Sequence, residues 1–422
     1  MSSSGVEVLP VGTAAEVAAG LIDELMPEIA ARFTVTGAVG VVLVDTSALA
    51  EVERLYGEEA YRRSRRELDT QVLNALGGYL ESGDVIATVD AGHDHLVVLL
   101  FRPRKDYLFY RETLPALARI LSDVLEKNAG KIVFPYTDRA IELPVGHALT
   151  LRNPTLRPER SVRDAIDAAR RDAHLGLAVR DREKKREFLN LLLAEQVQTV
   201  FEKILDLETL AVFGYEALTR GPWGTPWQSP AVLFEMAERT GMLFELDCLC
   251  RRSALRVAAG NLPAGRRLFL NCLPSAIHDP SFRTGTVQHT LDQCGLQPGD
   301  VVFEISERES VRNFSIFREA RDYYKGLGFG IALDDTGSGY ASLSSVIEMV
   351  PDFIKVDLSL IRGIDVDPNR RAMLEALQKV ATQIGAKVIA EGIETEAELE
   401  AVRSLGVPYG QGYLFGRPGS LP

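Results

Sequence analysis

The chain predicts an α/β protein in two parts: an α/β domain followed by a (β/α)8-like, TIM-type barrel. Three observations carry this. From Val197 onward, short apolar runs alternate with helix-like segments, the pattern of repeated strand–helix units and a parallel sheet. Those runs end, one after another, at or near a carboxylate, an amide or a lysine. Before Val197 the order is instead strand, helix, hairpin, helix, strand, helix, which describes a separate α/β unit.

The totals agree. A chain of 422 residues suggests two domains. With 46% hydrophobic and 25% charged residues, each can bury a sizeable core. Acids exceed bases 59 to 47, for a net charge of −12, which argues against nucleic acid as a bulk-charge partner. The balance is compatible with a site that binds metal and, through it, an anionic small molecule. Cys248, Cys250, Cys272 and Cys294 show neither zinc-type spacing nor a disulfide framework, so a reducing cytosol is expected. No apolar run approaches the ~18–20 residues of a membrane span. The start of the chain also lacks the pattern of a signal peptide. The expected location is therefore cytoplasmic.

Residues 1–33 read as a loose tail (MSSSGVEVLPVG) and an amphipathic helix from Ala14 to Phe33, with Pro27 marking a bend or break. Residues 34–175 read as the first domain. GAVGVVLVDTS is a buried strand ending at Asp45, and Leu49 to Leu80 is helical. DVIATVDAGHDHLVVLLF forms a hairpin around Asp90 to Asp94. A helix at Leu114–Lys127, a strand near Ile141–Leu151 and a helix from Val162 to His174 follow. His93 and His95 flank Asp94, as a metal or pH-sensing site or as a plain polar turn. Residues 176–196 carry the charge run RDREKKRE and read as a helical linker, either a signalling helix or a spacer.

In residues 197–422, LAVFGY leads to Glu216, RRLFL to Asn271 and DVVF to Glu304. FGIAL leads to Asp334 and Asp335, DFI to Lys355 and AKVIA to Glu391, while Gln411 precedes GYLFG. Roughly 225 residues is the size of a parallel barrel, whose strand ends converge on one face where active sites form. Any one of these residues could be a cap or a turn residue. Adjacent carboxylates such as Asp334 and Asp335 repel, so something positive belongs beside them. Several carboxylates and an asparagine carbonyl suit Mg²⁺ or Mn²⁺ rather than zinc. More acids than one ion needs point to two ions, which together can activate a water and neutralise phosphoryl oxygens. Lys355 is the cation that orients the nucleophile or steadies developing charge. Metal-dependent phosphoester hydrolysis is the leading chemistry. Proton abstraction with a lysine base and Mg²⁺ is the other a barrel of this kind could host.

Two family resemblances follow. The order of the first domain resembles the GGDEF domain of diguanylate cyclases. Where that family has RYGGDEF this chain has VDAGHDH, Val89 to His95. Of the family's D-x-D-x-F-K pattern only the first aspartate, Asp45, matches. A cyclase needs carboxylates for its metals and a turn whose backbone approaches the nucleotide. Both are largely gone, so a degenerate, non-catalytic domain is expected.

The second half is more specific. YEALTR (Tyr215–Arg220), LFLN, FEISE (Phe303–Glu307), DDTGSGYASL (Asp334–Leu343), IKVD, AEGIE and GQGYLFGRP resemble the ordered motif set of EAL-domain phosphodiesterases, which hydrolyse cyclic di-GMP to linear pGpG. The resemblance implies that Glu216, Asn271, Glu304, Asp334, Asp335 and Glu391 hold two Mg²⁺ or Mn²⁺ ions, with Asp335 shared. It implies that Lys355 contacts the attacking water and that Arg220 contacts the dinucleotide. Glu394 and Gln411 would complete that wall. Glu307 would hold the loop after Asp335, through Thr336, Gly337 and Gly339. It further implies a barrel with one reversed strand and a homodimer through that domain.

Two departures stand out. Thr336 occupies the place of the family's aromatic in DDFG, and Phe201-Glu202-Lys203-Ile204 stands where the family has FQPI. Three functions are therefore weighed. One is an active phosphodiesterase with a degenerate regulatory domain. The second is an impaired cyclic di-GMP receptor that signals through the linker. The third is a scaffold whose first domain recruits a protein partner.

Overall fold

The computed structural model describes residues 7–11, 15–89, 95–137, 141–278, 291–293, 295–306, 314–336 and 350–422. The chain divides into two compact units, residues 1–184 and 185–422.

The first unit is a six-stranded sheet in the order β1-β2-β4-β5-β3-β6. Its strands are β1 (Glu7–Val11), β2 (Ala15–Leu21), β3 (Ala38–Val44), β4 (Val85–Thr88), β5 (Leu96–Leu100) and β6 (Val145–Leu151). The helices are α1 (Ile22–Thr36), α2 (Leu49–Tyr56), α3 (Glu58–Leu76), α4 (Leu114–Val133) and α5 (Pro158–Leu193), whose last residues, from Lys185, belong to the second unit. β3 is apolar throughout because helices cover both faces of the sheet. Val42 and Val44 pack with Leu49, Leu68 and Leu121 on one side. Val41 and Leu43 pack with Ile29, Phe33 and Ile166 on the other. The expected hairpin is β4–β5, antiparallel from Val85↔Leu99 to Thr88↔Leu96. The turn with His93 and Asp94 lies outside the described residues.

Two expectations near the start are corrected. The helix expected over Ala14–Phe33 is a strand followed by a helix, and part of the expected loose tail is the edge strand β1. The reason is pairing. β2 sits antiparallel to β1 and parallel to β4, so its backbone groups are satisfied on both edges. Gly20 also weakens any helix there. α1 then runs through Pro27 without ending. The helix expected from Val162 and the helical linker after it are one 36-residue helix, α5.

The second unit is a closed eight-stranded barrel in the order β10-β11-β12-β13-β14-β7-β8-β9. Its strands are β7 (Gln198–Asp206), β8 (Val212–Arg220), β9 (Arg267–Asn271), β10 (Val301–Ser306), β11 (Gly330–Thr336), β12 (Phe353–Val356), β13 (Lys387–Ala390) and β14 (Tyr409–Gly410). β7 is antiparallel to both neighbours and every other pairing is parallel. Side chains alternate along a strand, so the inward residues stack in layers. One inward layer is apolar: Ile204, Phe269, Val302, Ala332, Phe353, Ile389 and Tyr409 pack together, with Phe213 stacked on Tyr409 at 4.0 Å. β8 contributes Gly214 to this layer. A Cβ there would lie 2.7 Å from the Arg267 carbonyl and 3.1 Å from the Phe269 ring. This dry plug is the floor on which the next layer stands.

The helices α6 (Pro230–Thr240) and α7 (Leu243–Ala258) lie outside the barrel wall. On α7, Asp247 pairs with the buried Arg251 at 2.9 Å and accepts the backbone N–H of Leu273. That contact fixes the chain just after Asn271.

Candidate active site

Two residues beyond each apolar plug residue, counted toward the open face, stand Glu202, Glu216, Asn271, Glu304, Asp334, Lys355, Glu391 and Gln411. One polar residue thus comes from each of the eight strands or from the position just after its end. Barrel parity, not proximity in sequence, brings them together.

Lys355 is at the centre, 1% exposed. Its Nζ lies 3.2 Å from Glu216 Oε2, 2.9 Å from Glu304 Oε1, 3.2 Å from Asp334 Oδ1 and 2.8 Å from Glu391 Oε1. Gln411 Nε2 donates to Glu216 Oε2 at 2.6 Å and to Glu391 Oε1 at 3.4 Å, and Asn271 Nδ2 reaches Glu216 Oε1 at 3.5 Å. Four carboxylates therefore surround one ammonium where water is scarce and charge interactions are strong.

The titrations follow. Burial would lower Lys355, but the four carboxylates outweigh it and hold the ammonium charged. Burial pushes Glu304 well above the usual carboxylate range, and the Glu216 charge pushes the same way. Burial also pushes Glu391 well up, against the pull of Lys355 and with Asp334 adding to the rise. Burial would raise Glu216 too, but Lys355 and the Gln411 hydrogen bond hold it below its usual value. On β7, directly opposite Glu216, Glu202 is raised to about 7 by burial and by the Glu216 charge.

A regular strand would send Asp334 and Asp335 to opposite faces. Between Leu333 and Thr336, β11 carries one residue more than β12 opposite it, and Asp335 takes φ +60°. This bulge lets both aspartates line one cavity of about 490 Å³. Glu202, Glu216, Lys355, Glu391, Glu394 and Gln411 line it as well. Arg220 and Asn271 instead line a second cavity of about 300 Å³, together with Glu304. At the mouth of the larger one Glu394 holds Arg362 through both carboxylate oxygens at 3.0 Å. Thr336 is fully buried at the end of β11, and its backbone carbonyl accepts the N–H of Asp357. Glu307, Gly337 and Gly339 lie outside the described residues.

The donor set fits hard divalent cations: carboxylates and one amide, with no histidine or cysteine among them. Burial and their carboxylate neighbours push Glu304 and Glu391 toward the protonated form around the single ammonium, which is the electrostatic condition such ions relieve. The carboxylates are gathered on the ammonium. Among the described residues no group of three or more His, Cys, Asp or Glu stands in the arrangement of a metal site.

Sequence reasoning treated Glu202 only as a departure and did not single out Asp357, Arg362 or Tyr413, which also line the larger cavity. Parity could have found Glu202, given the reversed direction of β7. In the first unit, His95 is buried with Nδ1 3.3 Å from Asp45 Oδ1, and His174 Nε2 lies 3.1 Å from Asp45 Oδ2. Neither contact could be read from spacing.

The family model for the EAL domain matches residues 185–418. The cyclic di-GMP phosphodiesterase NbdA of Pseudomonas aeruginosa is 30% identical over 247 residues, covering 57% of this chain and 31% of that protein. The probable cyclic di-GMP phosphodiesterase PdeG of Escherichia coli is 29% identical over 211 residues, covering 49% of this chain and 41% of that one. This chain thus spans less than half the length of these relatives. Among solved structures, the FimX EAL domain of Xanthomonas citri in complex with c-di-GMP shares the fold at TM-score 0.52 and 20% identity, over 58% of this chain and 97% of that one. No described helix is long and apolar enough to cross a membrane. With more than half its length matched, the chain belongs to the EAL-domain family.

Proposed function

We propose that this protein hydrolyses cyclic di-GMP to linear pGpG in a reaction that needs divalent metal. The observation that carries the reading is the ring of carboxylates around Lys355 at the open end of the barrel. The names of the relatives support the substrate. Glu216, Asn271, Glu304, Asp334, Asp335 and Glu391 would hold two Mg²⁺ or Mn²⁺ ions. Bound there, such a pair activates water and neutralises the phosphoryl oxygens of an in-line displacement. Gln411 fixes the rotamers of Glu216 and Glu391 through its amide. The Lys355 ammonium steadies the attacking oxygen and the charge that develops on the phosphoryl oxygens. The apolar plug beneath excludes water from the other side. Arg220, in the adjoining cavity, offers a guanidinium to a phosphate or base of the dinucleotide.

The first unit acts in this reading as a non-catalytic, GGDEF-like regulator, with α5 carrying its state toward the barrel unit. Dimerisation through the barrel unit and a protein partner for the first unit belong to the same proposal. The test is direct. Purified full chain with Mg²⁺ or Mn²⁺ converts cyclic di-GMP to pGpG, and Glu216→Ala abolishes the product. No product at micromolar enzyme over hours would sink the reading.

One observation favours a second reading, a receptor without turnover. Glu202 adds another carboxylate to the ring, directly opposite Glu216. Binding of cyclic di-GMP by the wild-type chain, with no product in either metal, is the outcome that selects it.

A further inference from the structure

Asp45, just past the end of β3, carries an imidazole on each of its two oxygens. His95, the residue before β5, brings Nδ1 to 3.3 Å from Oδ1, and His174 on α5 brings Nε2 to 3.1 Å from Oδ2. Three residues far apart in sequence thus converge on one carboxylate. That carboxylate is firmly placed. The Asp45 backbone N–H donates to the Pro144 carbonyl at 2.8 Å. Ser47 donates its N–H and its hydroxyl to Oδ1, at 2.9 and 2.6 Å. Asp45 and His95 are both buried. Burial would raise Asp45, but the Ser47 hydrogen bonds and the two imidazoles outweigh it and hold the carboxyl below its usual value.

Fastening α5 to the sheet would need one imidazole on Asp45, and there are two. Asp45 and His174 also line a cavity of about 540 Å³, together with Ser47, Glu51 and Glu142. The cavity opens the outer side of the cluster to a further ligand such as water. Two imidazole nitrogens and a carboxylate suit Zn²⁺ and its neighbour Co²⁺ better than Mg²⁺. The barrel site is different, with oxygen donors only. Three protein ligands and one open position describe an accessible zinc site rather than a closed structural one. The two nitrogens rest on opposite oxygens of Asp45, and the three side chains do not stand in the arrangement of a metal site. The His174 side chain is 57% exposed, so a turn of its ring can close the set.

We propose that His95, His174 and Asp45 bind one divalent ion of the zinc class, at a site made of residues the barrel does not use, with water in the fourth position. This stands independently of the hydrolysis proposed above.

The test is a Co²⁺ titration of the untagged full chain in excess Mg²⁺, which fills oxygen sites and competes poorly for imidazole. Four-coordinate Co²⁺ with nitrogen ligands absorbs strongly in the visible, whereas Co²⁺ among six oxygens absorbs weakly. The expected result is a strong band that saturates at one ion per chain and is discharged by Zn²⁺. Loss of an outer partner of a metal site costs about 10–100-fold in affinity, so His174→Ala, which loses a ligand, is expected to weaken Co²⁺ binding at least about tenfold. His174 is the deciding position, because its exposed side chain can be truncated without opening the core. His147→Ala removes the other histidine contact to α5, with Asp172, and should leave the band unchanged. Glu216→Ala, in the barrel, should leave it unchanged as well. No strong band in wild type, a band that survives His174→Ala, or a band that Glu216→Ala removes would each overturn the site.

Discussion

Lys355 Nζ lies 2.9 Å from Glu304 Oε1, and neither side chain is more than 1% exposed. The pair sits on the apolar plug, and three more carboxylates share the same ammonium. Removing one partner of a buried ion pair costs about 3–5 kcal/mol, because the other is left uncompensated. Lys355→Met is therefore expected to destabilise metal-free protein by about that amount at neutral pH. Added Mn²⁺ should recover part of the loss. Urea denaturation in EDTA and in Mn²⁺ reads both, and equal stability of variant and wild type in EDTA would count against a charged ring.

Glu202 has a folded pKa of about 7 against 4.5 when unperturbed. Below pH 4.5 it is protonated in both states. Between 4.5 and about 7 the unfolded chain gives up this proton while the folded chain keeps it. Its contribution to stability is present at low pH and falls away as pH rises through that window. Melting temperature in EDTA should decline from pH 4.5 to 7, and Glu202→Gln should flatten the decline. An unchanged slope in the variant would assign the titration elsewhere.

Asp335 is held at φ +60° by the bulge in β11. Asparagine tolerates that conformation and a β-branched residue does not. Asp335→Asn should fold normally and lose turnover, while Asp335→Val should also lose about 1–2 kcal/mol of stability. Equal melting temperatures for the two variants would contradict the left-handed geometry.

Thr336 is fully buried, and its hydroxyl has no hydrogen-bond partner among the described residues. Thr336→Val is expected to be neutral or stabilising by up to about 1 kcal/mol. Restoring the family's aromatic with Thr336→Phe should overpack the strand end and cost about 1–3 kcal/mol. Thermal melts of the two variants give the order.

The barrel was legible because its chemistry is periodic. Each of Glu216, Asn271, Glu304, Asp334, Lys355 and Glu391 follows an apolar run, and two-residue parity turns that pattern into a ring. Glu202 was missed as a member because β7 runs backward, so its polar residue precedes the plug residue Ile204 and parity has to be counted in reverse. The placement of Arg220 and Asn271 in an adjoining cavity depends on the shape of the barrel mouth, which no spacing encodes. In the first unit the apolar residues of Ala15–Leu21 also fit a helical stripe. Pairing with β1 and β4 decided for a strand, and those partners are far away in sequence. The His174–Asp45 contact joins residues brought together only by the packing of α5.

The central claim is that the carboxylate ring and Lys355 act together as a metal-dependent phosphodiester hydrolase. Single-turnover conversion of cyclic di-GMP by the full chain, with and without Mn²⁺, in wild type and Lys355→Ala, tests it most directly. The expected result is pGpG from wild type with metal only, and a rate at least about a hundredfold lower in the variant. Equal rates with and without metal, or a Lys355→Ala variant as fast as wild type, would contradict it.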